Sequence, residues 1–191
     1  MRIGIRNPPA PAEYEARFVD IYLRCGKPVQ AYCARRIPSP HVADAVAEVF
    51  LVAWRRIAEV PEGDATLPWL YGVAYRVVSH QWRQGGRSRR MRERLPGWLE
   101  SEVAEPDVVI VRNEEYRMVL AAASRLRGVD QEILRLTLWE ELSHADVAEV
   151  LGIDPAAVKQ RAYRARRNLA REYQRMTKDR QPPIAPKGGG S

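Results

Sequence analysis

Apolar residues recur along most of this chain at three- and four-residue steps, the period of one face of an α-helix. Tyr14, Phe18, Ile21 and Tyr22 form a first stripe, and Pro28, just after Gly26, suits the first position of a new helix. Val42, Val46, Val49, Phe50, Ala53, Trp54 and Ile57 repeat the period, as do Trp69, Leu70, Val73, Ala74, Val77, Val78 and Trp82. The loop between these two helices, Val60–Pro68, is rich in Pro, Gly and acids. Further on come Tyr116, Val119, Leu120 and Ala123, then Ile133, Leu134, Leu136 and Leu138. No segment alternates with period two, so the predicted fold is all-α.

The most defined local pattern lies between Ser143 and Leu169. Ser143 can cap a helix with Asp146 three residues on, and Leu142 with Val147 flank that cap as a hydrophobic staple. Gly152 suits the left-handed position that ends a helix. Asp154 then caps a second helix, Pro155 takes its first position, and Ile153 with Val158 repeats the staple. A Gly turn between two capped helices is the helix-turn-helix pattern. At about 100° per residue, Ala162, Ala165 and Leu169 fall within about 40° of Val158. Lys159, Gln160, Tyr163, Arg164 and Arg167 fall on the opposite side, where they would offer donors to base edges and cations to phosphates.

Charge supports a polyanionic partner. The chain of 191 residues has 31 basic and 24 acidic side chains, a net +7. That charge is unevenly placed: residues 76–94 carry seven Arg and one Glu, and residues 155–180 carry nine basic residues and two acids. Between these basic segments, residues 98–115 hold six acids and one Arg, with Pro96, Gly97 and Pro106 interrupting any helical period. The tail from Gln181 onwards is Pro- and Gly-rich and reads as disordered, and Gly188–Ser191 has the composition of an appended linker.

Other chemistries find little support. No phosphate-cradling Gly loop and no Gly-flanked nucleophile is present, so no catalytic residues are assigned and no enzyme activity is expected. Cys25, Cys33 and His41 match no standard metal spacing, and the two Cys read as small buried residues in a reducing compartment. No cofactor, metal or small-molecule substrate is expected. No window approaches a membrane span and the start lacks a secretory apolar run, which predicts a cytoplasmic protein.

Three stretches together resemble the extracytoplasmic-function (ECF) sigma factors of bacterial RNA polymerase, in the sigma-70 family. Leu142–Leu169, "LSHADVAEVLGIDPAAVKQRAYRARRNL", resembles region 4. Val42–Ile57, "VADAVAEVFLVAWRRI", resembles region 2.2, and Leu67–Arg83, "LPWLYGVAYRVVSHQWR", resembles regions 2.3 to 2.4. The resemblance implies two small helical domains on a flexible linker: a region 2-like domain over 13–95, an acidic linker over 96–112 and a region 4-like domain over 113–178. Disordered ends, 1–12 and 179–191, complete the division.

It further implies a subunit that binds polymerase core and directs promoter-specific initiation by recognising and melting DNA. Asp44, Val46, Glu48, Val49, Phe50 and Trp54 match positions that dock on the polymerase clamp. Tyr71, Tyr75, Arg76, Trp82 and Arg83 are the groups available to hold bases at the downstream, minus-ten element. Ala156, Lys159, Gln160, Tyr163, Arg164 and Arg167 match positions facing the upstream, minus-thirty-five element. An anti-sigma factor is a further implied partner, and packing the halves together without polymerase would hide both basic faces. The chain departs from the family pattern at Ala43, Ala47, Arg76 and His80, where the usual residues are Asp, Gln, Asn and Asp. The residues leave two other readings open: a stand-alone helix-turn-helix regulator, and a sigma-like module that binds core or an inhibitor without initiating.

Overall fold

The first stripe does not stop at Gly26. In the computed structural model, which describes residues 11–84 and 114–180, helix α1 runs unbroken over Pro11–Ala34 with Pro28 inside it. The expected helix start at Pro28 is thus corrected. A proline costs a helix one backbone hydrogen bond, but Ile21, Cys25, Val29, Tyr32 and Cys33 continue one buried face across it. Burial of that face outweighs the lost bond.

Helix α2 spans Val42–Arg55 and α3 spans Thr66–Gln84. The predicted loop between them is shorter than expected, because α3 begins at Thr66 and places Pro68 in its first turn, where no N–H is required. Thr66 is buried and its hydroxyl donates to the Pro61 carbonyl at 2.8 Å, fixing the loop to the helix start. These three helices pack on one another. Phe18 and Tyr22 of α1 meet Phe50 of α2 edge-on, with centroids 6.2 and 4.9 Å apart.

The second group comprises α4 (Glu114–Ala123), α5 (Gly128–Leu138), α6 (His144–Leu151) and α7 (Pro155–Arg180). Helix α7 lies against α4, α5 and α6. Its last residues pass the expected boundary at 178. The acidic linker over 96–112, and the ends over 1–10 and 181–191, fall outside the described residues. Among the described residues every regular element is helical, and none is long and apolar enough to cross a membrane.

The two groups of helices share a core. Buried side chains of α1, α2 and α3 form one continuous cluster with Ile133, Leu136, Val147, Val150, Val158 and Ala162. The crossing of α3 and α6 is tight at Gly72, where an added Cβ would lie 3.7 Å from the Val150 Cα. An added methyl there would sit in ordinary van der Waals contact with α6.

Candidate nucleic-acid and partner interfaces

The helix-turn-helix is built by its caps. The Ser143 hydroxyl accepts from the Asp146 N–H at 3.2 Å, and the Asp146 carboxylate accepts from the Ser143 N–H at 3.2 Å, a reciprocal capping box. Gly152 ends α6 at φ 66°. Asp154 Oδ1 then accepts from the N–H groups of Ala156 and Ala157, at 2.8 and 3.2 Å, and starts α7. Leu142 and Ile153 pack on the core beside the buried Val147 and Val158.

Both faces of α7 lie where the sequence put them. Val158, Ala162 and Ala165 are buried, while Ala156, Lys159, Gln160, Tyr163, Arg164 and Arg167 are exposed. Two pairs one turn apart organise the outer face: Arg164 donates to Gln160 Oε1 at 3.0 Å, and the Arg167 guanidinium lies 5.7 Å from the Tyr163 ring centroid. The surface therefore offers several cationic and amide donors in a row, with Tyr163 61% exposed among them.

The downstream candidates are divided. Arg76, Trp82 and Arg83 are exposed on α3 and Tyr75 is half-buried. Tyr71 is not on the surface: it is 3% exposed and stacks on Tyr32, with centroids 5.1 Å apart and planes at 25°. Burial pushes its phenol well above the usual range. Because Tyr71 shares the inner face of α3 with Leu70 and Ala74, it faces α1 and the second helical group.

The α2 candidates divide in the same way. Asp44, Glu48 and Trp54 are exposed and Val46 is half-buried, whereas Val49 and Phe50 are core residues at 0% and 4% exposure. Val49 cannot touch a partner in this structure, and Phe50 reaches the surface only where it helps line a groove. Unforeseen at this surface are Leu51 and the neighbouring α1 residues Val19, Tyr22 and Leu23, all exposed. Tyr22, Ala34, Val42, Val46 and Phe50 help line a shallow groove of about 510 Å³ there.

The halves meet through buried charges that the sequence reading passed over. Arg36, just past α1, donates from Nε to both Glu132 oxygens at 2.9 and 3.2 Å. From Nη1 it donates to Glu140 Oε1 and the Tyr32 carbonyl, each at 2.9 Å. The Tyr32 hydroxyl donates to Glu132 Oε1 at 3.1 Å, Arg35 pairs with Glu140, and Arg135 lies 3.7 Å from Glu132. The Arg36 guanidinium lies 3.5 Å from the Tyr32 ring centroid. Burial works against the Arg36 charge, but Tyr32, Glu132 and Glu140 outweigh it and raise its pKa, whereas burial lowers Arg135 to about 10. A signal was present in "DQEILRLTL": Glu132 and Arg135 interrupt an apolar face, as charges do when their partner lies on another element.

This packing corrects one expectation. The halves are together, yet the outer face of α7 and the Arg76–Arg83 surface remain exposed. What is covered is the face of α3 that carries Tyr71 and Gly72.

The buried Cys25 and Cys33 are free thiols. Among the described residues no three acidic, His or Cys side chains gather as a metal site.

Residues 116–169 match the family model described as "Sigma-70, region 4". The chain is 31% identical over 133 residues to a probable RNA polymerase sigma factor, RfaY, of Xanthomonas campestris. That alignment covers 68% of this chain but only 33% of the relative, so the chain spans about a third of that protein. It is 29% identical over 140 residues to the RNA polymerase sigma factor NccH of Alcaligenes xylosoxydans, covering 70% and 73% of the two chains. With the ECF sigma factor BldN of Streptomyces coelicolor it shares 30% over 159 residues, 81% of this chain and 59% of the other. An alignment that long cannot lie within one half. In fold, the chain resembles the sigma factor RpoE crystallised with the anti-sigma factor NepR from Bartonella quintana. The TM-score is 0.59 at 19% identity, with 82% of this chain and 96% of that one covered. The region 4 match, joined to this similarity across both halves, places the chain in the sigma-70 family as a member of its ECF group.

Proposed function

We propose that the chain is an alternative sigma factor that binds RNA polymerase core and directs initiation at particular promoters. The observation that carries this reading is the outer face of α7: a helix capped at its start by Asp154, seated on its own core by Val158, Ala162 and Ala165, presents Lys159, Gln160, Tyr163 and Arg164 to solvent. Such a face fits a major groove, with the amide and guanidinium groups reading base edges and the remaining cations neutralising phosphates. It is a binding role, in which no bond of the DNA is broken by the protein itself.

In this reading a region 2-like domain over 13–95 supplies two further surfaces. The exposed part of α2, with Asp44, Val46, Glu48 and Trp54, docks on the polymerase clamp. On α3, Tyr75, Arg76, Trp82 and Arg83 hold unstacked bases of the downstream element, where stacking on an aromatic ring contributes about 1–3 kcal/mol per base. Val49 and Phe50 support the α2 surface from beneath. The region 4-like domain, over 113–178, meets the upstream element. An anti-sigma factor would compete for the same surfaces, and the protein would act in the cytoplasm where polymerase works.

Transcription reconstituted from the purified chain, matched core polymerase and genomic fragments tests the proposal. Promoter-dependent transcripts that need the chain are the expected result. Tight binding of the isolated chain to a palindromic duplex, with no core association, would instead identify a stand-alone regulator.

A further inference from the structure

Helix α7 continues from Leu169, where the region 4 match ends, to Arg180. This extension is seated on its own helical group. Leu169 packs on the cluster of Leu126, Leu134 and Ala165. Beyond it the Tyr173 hydroxyl donates to Glu115 Oε1 of α4, and Arg125, just past α4, donates to Glu172 Oε2, each at 3.4 Å. Glu172, Tyr173, Met176 and Thr177 are half-buried on that inner side.

The opposite side is cationic. At about 100° per residue, Arg171, Arg175 and Lys178 fall within about 40° of Arg164, and Arg167 within about 60°. All five are exposed. The extension carries two acids. Glu172 is shared between Arg125 and Arg175, at 3.4 and 3.3 Å, and leaves the Arg175 side chain 62% exposed. Asp179 stands at the far end of the stripe and about 60° to its side. At about 1.5 Å per residue, Arg171 lies about 10 Å beyond Arg164 and Lys178 about 21 Å beyond it. The major groove is only about 12 Å wide. A helix with Gln160 and Arg164 at base edges therefore carries Arg171, Arg175 and Lys178 to the border of the groove and over its phosphates.

We infer that Arg171, Arg175 and Lys178 form a phosphate-binding rail on duplex DNA, which holds α7 in the groove without reading sequence. The inference rests on the sigma-factor reading and adds a contact to its upstream DNA surface. Phosphate contacts fix register and orientation while base contacts specify. Because α4 holds the extension in line with the base-facing residues, each phosphate contact also positions Gln160 and Arg164.

Holoenzyme formed from the full chain and core polymerase, titrated against promoter fragments at several salt concentrations, tests the rail. Arg171→Gln, Arg175→Gln and Lys178→Gln together should weaken binding at least about tenfold near 0.1 M salt. The loss should be equal for the preferred upstream element and for each single-base change in it. The slope of log affinity against log salt should fall by about 0.9 for each contact removed. Arg171→Lys with Arg175→Lys, which keeps both charges, should bind as the unchanged chain does. An unchanged slope in the folded triple variant overturns the rail and leaves a solvated face. Losses confined to particular upstream bases overturn it in favour of base reading. Single-stranded RNA that competes better than duplex DNA of equal length, and does so only with the stripe intact, overturns the duplex assignment. Should the triple variant lose helix content, Arg171→Gln alone decides: a slope lowered by about one supports the rail, and an unchanged slope overturns it. If the unchanged chain makes no promoter-dependent transcript with core, the sigma-factor reading fails. The same salt slopes, measured with the full chain alone on the same duplexes, then decide whether the stripe binds phosphate.

Discussion

Leu142 donates its backbone N–H to the carbonyl of Leu136 at 3.0 Å, a six-residue return that ends α5 and turns the chain toward the helix-turn-helix. The return requires a left-handed residue, and Glu141 fills that role at φ 53°. An adjoining residue, Glu140, thereby stays on the buried side and reaches Arg36. The end of α5 is therefore both a helix stop and the support for one side of the junction between the halves.

A left-handed backbone costs a residue with a Cβ about 1–2 kcal/mol, and glycine relieves that strain while bringing more entropy to the unfolded chain. Glu141 is exposed, so its side chain contributes little. Glu141→Gly is expected to stabilise the protein by about 0.5–1 kcal/mol, the balance of those two effects. Urea denaturation at unchanged m-value would check it. A destabilised variant would show that the Glu141 side chain makes a contribution greater than its exposure implies.

The caps of the helix-turn-helix carry a second expectation. Asp154 satisfies two N–H groups at the start of α7, and its replacement by Ala should cost about 1 kcal/mol. Asp154→Asn, which keeps an acceptor oxygen, should recover most of that loss in the same denaturation experiment. Equal losses for Ala and Asn would mean that the charge near the helix start, rather than the hydrogen bonds, supplies the stability.

These caps were legible in the sequence because they are local: Ser143, Asp146, Gly152 and Asp154 act within three residues of themselves. The two faces of α7 were legible for a related reason, since its apolar stripe repeats with the helix period. Pro28 misled because its rule is local while the outcome is set by tertiary burial of Val29, Tyr32 and Cys33. Val49 and Phe50 lie on the apolar stripe of α2 and are buried as that stripe implies; it is the family resemblance, not the helix period, that points to them and to Tyr71 as contact residues. Arg36 and Glu132 were passed over because they are 96 residues apart, and only the packing of α1 against α5 brings their charges together.

Alkaline pH should expose the burial of the thiols. Burial raises Cys33 from the ordinary 9.0 to about 11, and it raises Cys25 in the same direction. Above pH 9 the unfolded chain therefore loses thiol protons that the folded chain retains, and stability falls as pH rises. For Cys33 alone the loss between pH 9 and 10 is about 1 kcal/mol. Arg135, lowered to about 10 by burial, contributes the opposite slope, which begins within that window, offsets part of the thiol effect near pH 10 and grows above it. Denaturation at pH 8, 9 and 10 checks the slope, which Cys33→Ala should flatten whatever its effect on absolute stability.

The α2 surface separates docking from folding. Trp54 is 41% exposed, with its ring 5.3 Å from that of Phe18, whereas Phe50 is 4% exposed. Phe50→Ala should cost about 3–5 kcal/mol of stability, because it opens a cavity beneath the surface. Glu48→Arg reverses an exposed charge and should leave the melting temperature almost unchanged while weakening core binding. Fluorescence titration of labelled protein with core polymerase distinguishes them. A Glu48→Arg variant that binds core as tightly as the unchanged chain would remove this part of α2 from the proposed docking surface.

The outer face of α7 yields the most discriminating prediction. Arg164 is exposed and held by Gln160 Oε1 at 3.0 Å, so it projects from the helix in a defined direction. If it reads a base, Arg164→Ala should cost about 1–3 kcal/mol at the preferred upstream element and relax preference at one position. If it touches phosphate instead, the same substitution should weaken all sequences alike and reduce the salt slope by about one ion. Lys159, an ammonium without a planar fork, is expected to behave in the second way. Polymerase holoenzyme titrated against promoter fragments carrying each upstream substitution, at two salt concentrations, resolves both residues together. Equal, sequence-independent losses for Arg164→Ala and Lys159→Ala would assign this face to backbone contact. Promoter choice would then rest on the remaining α7 side chains and on α3.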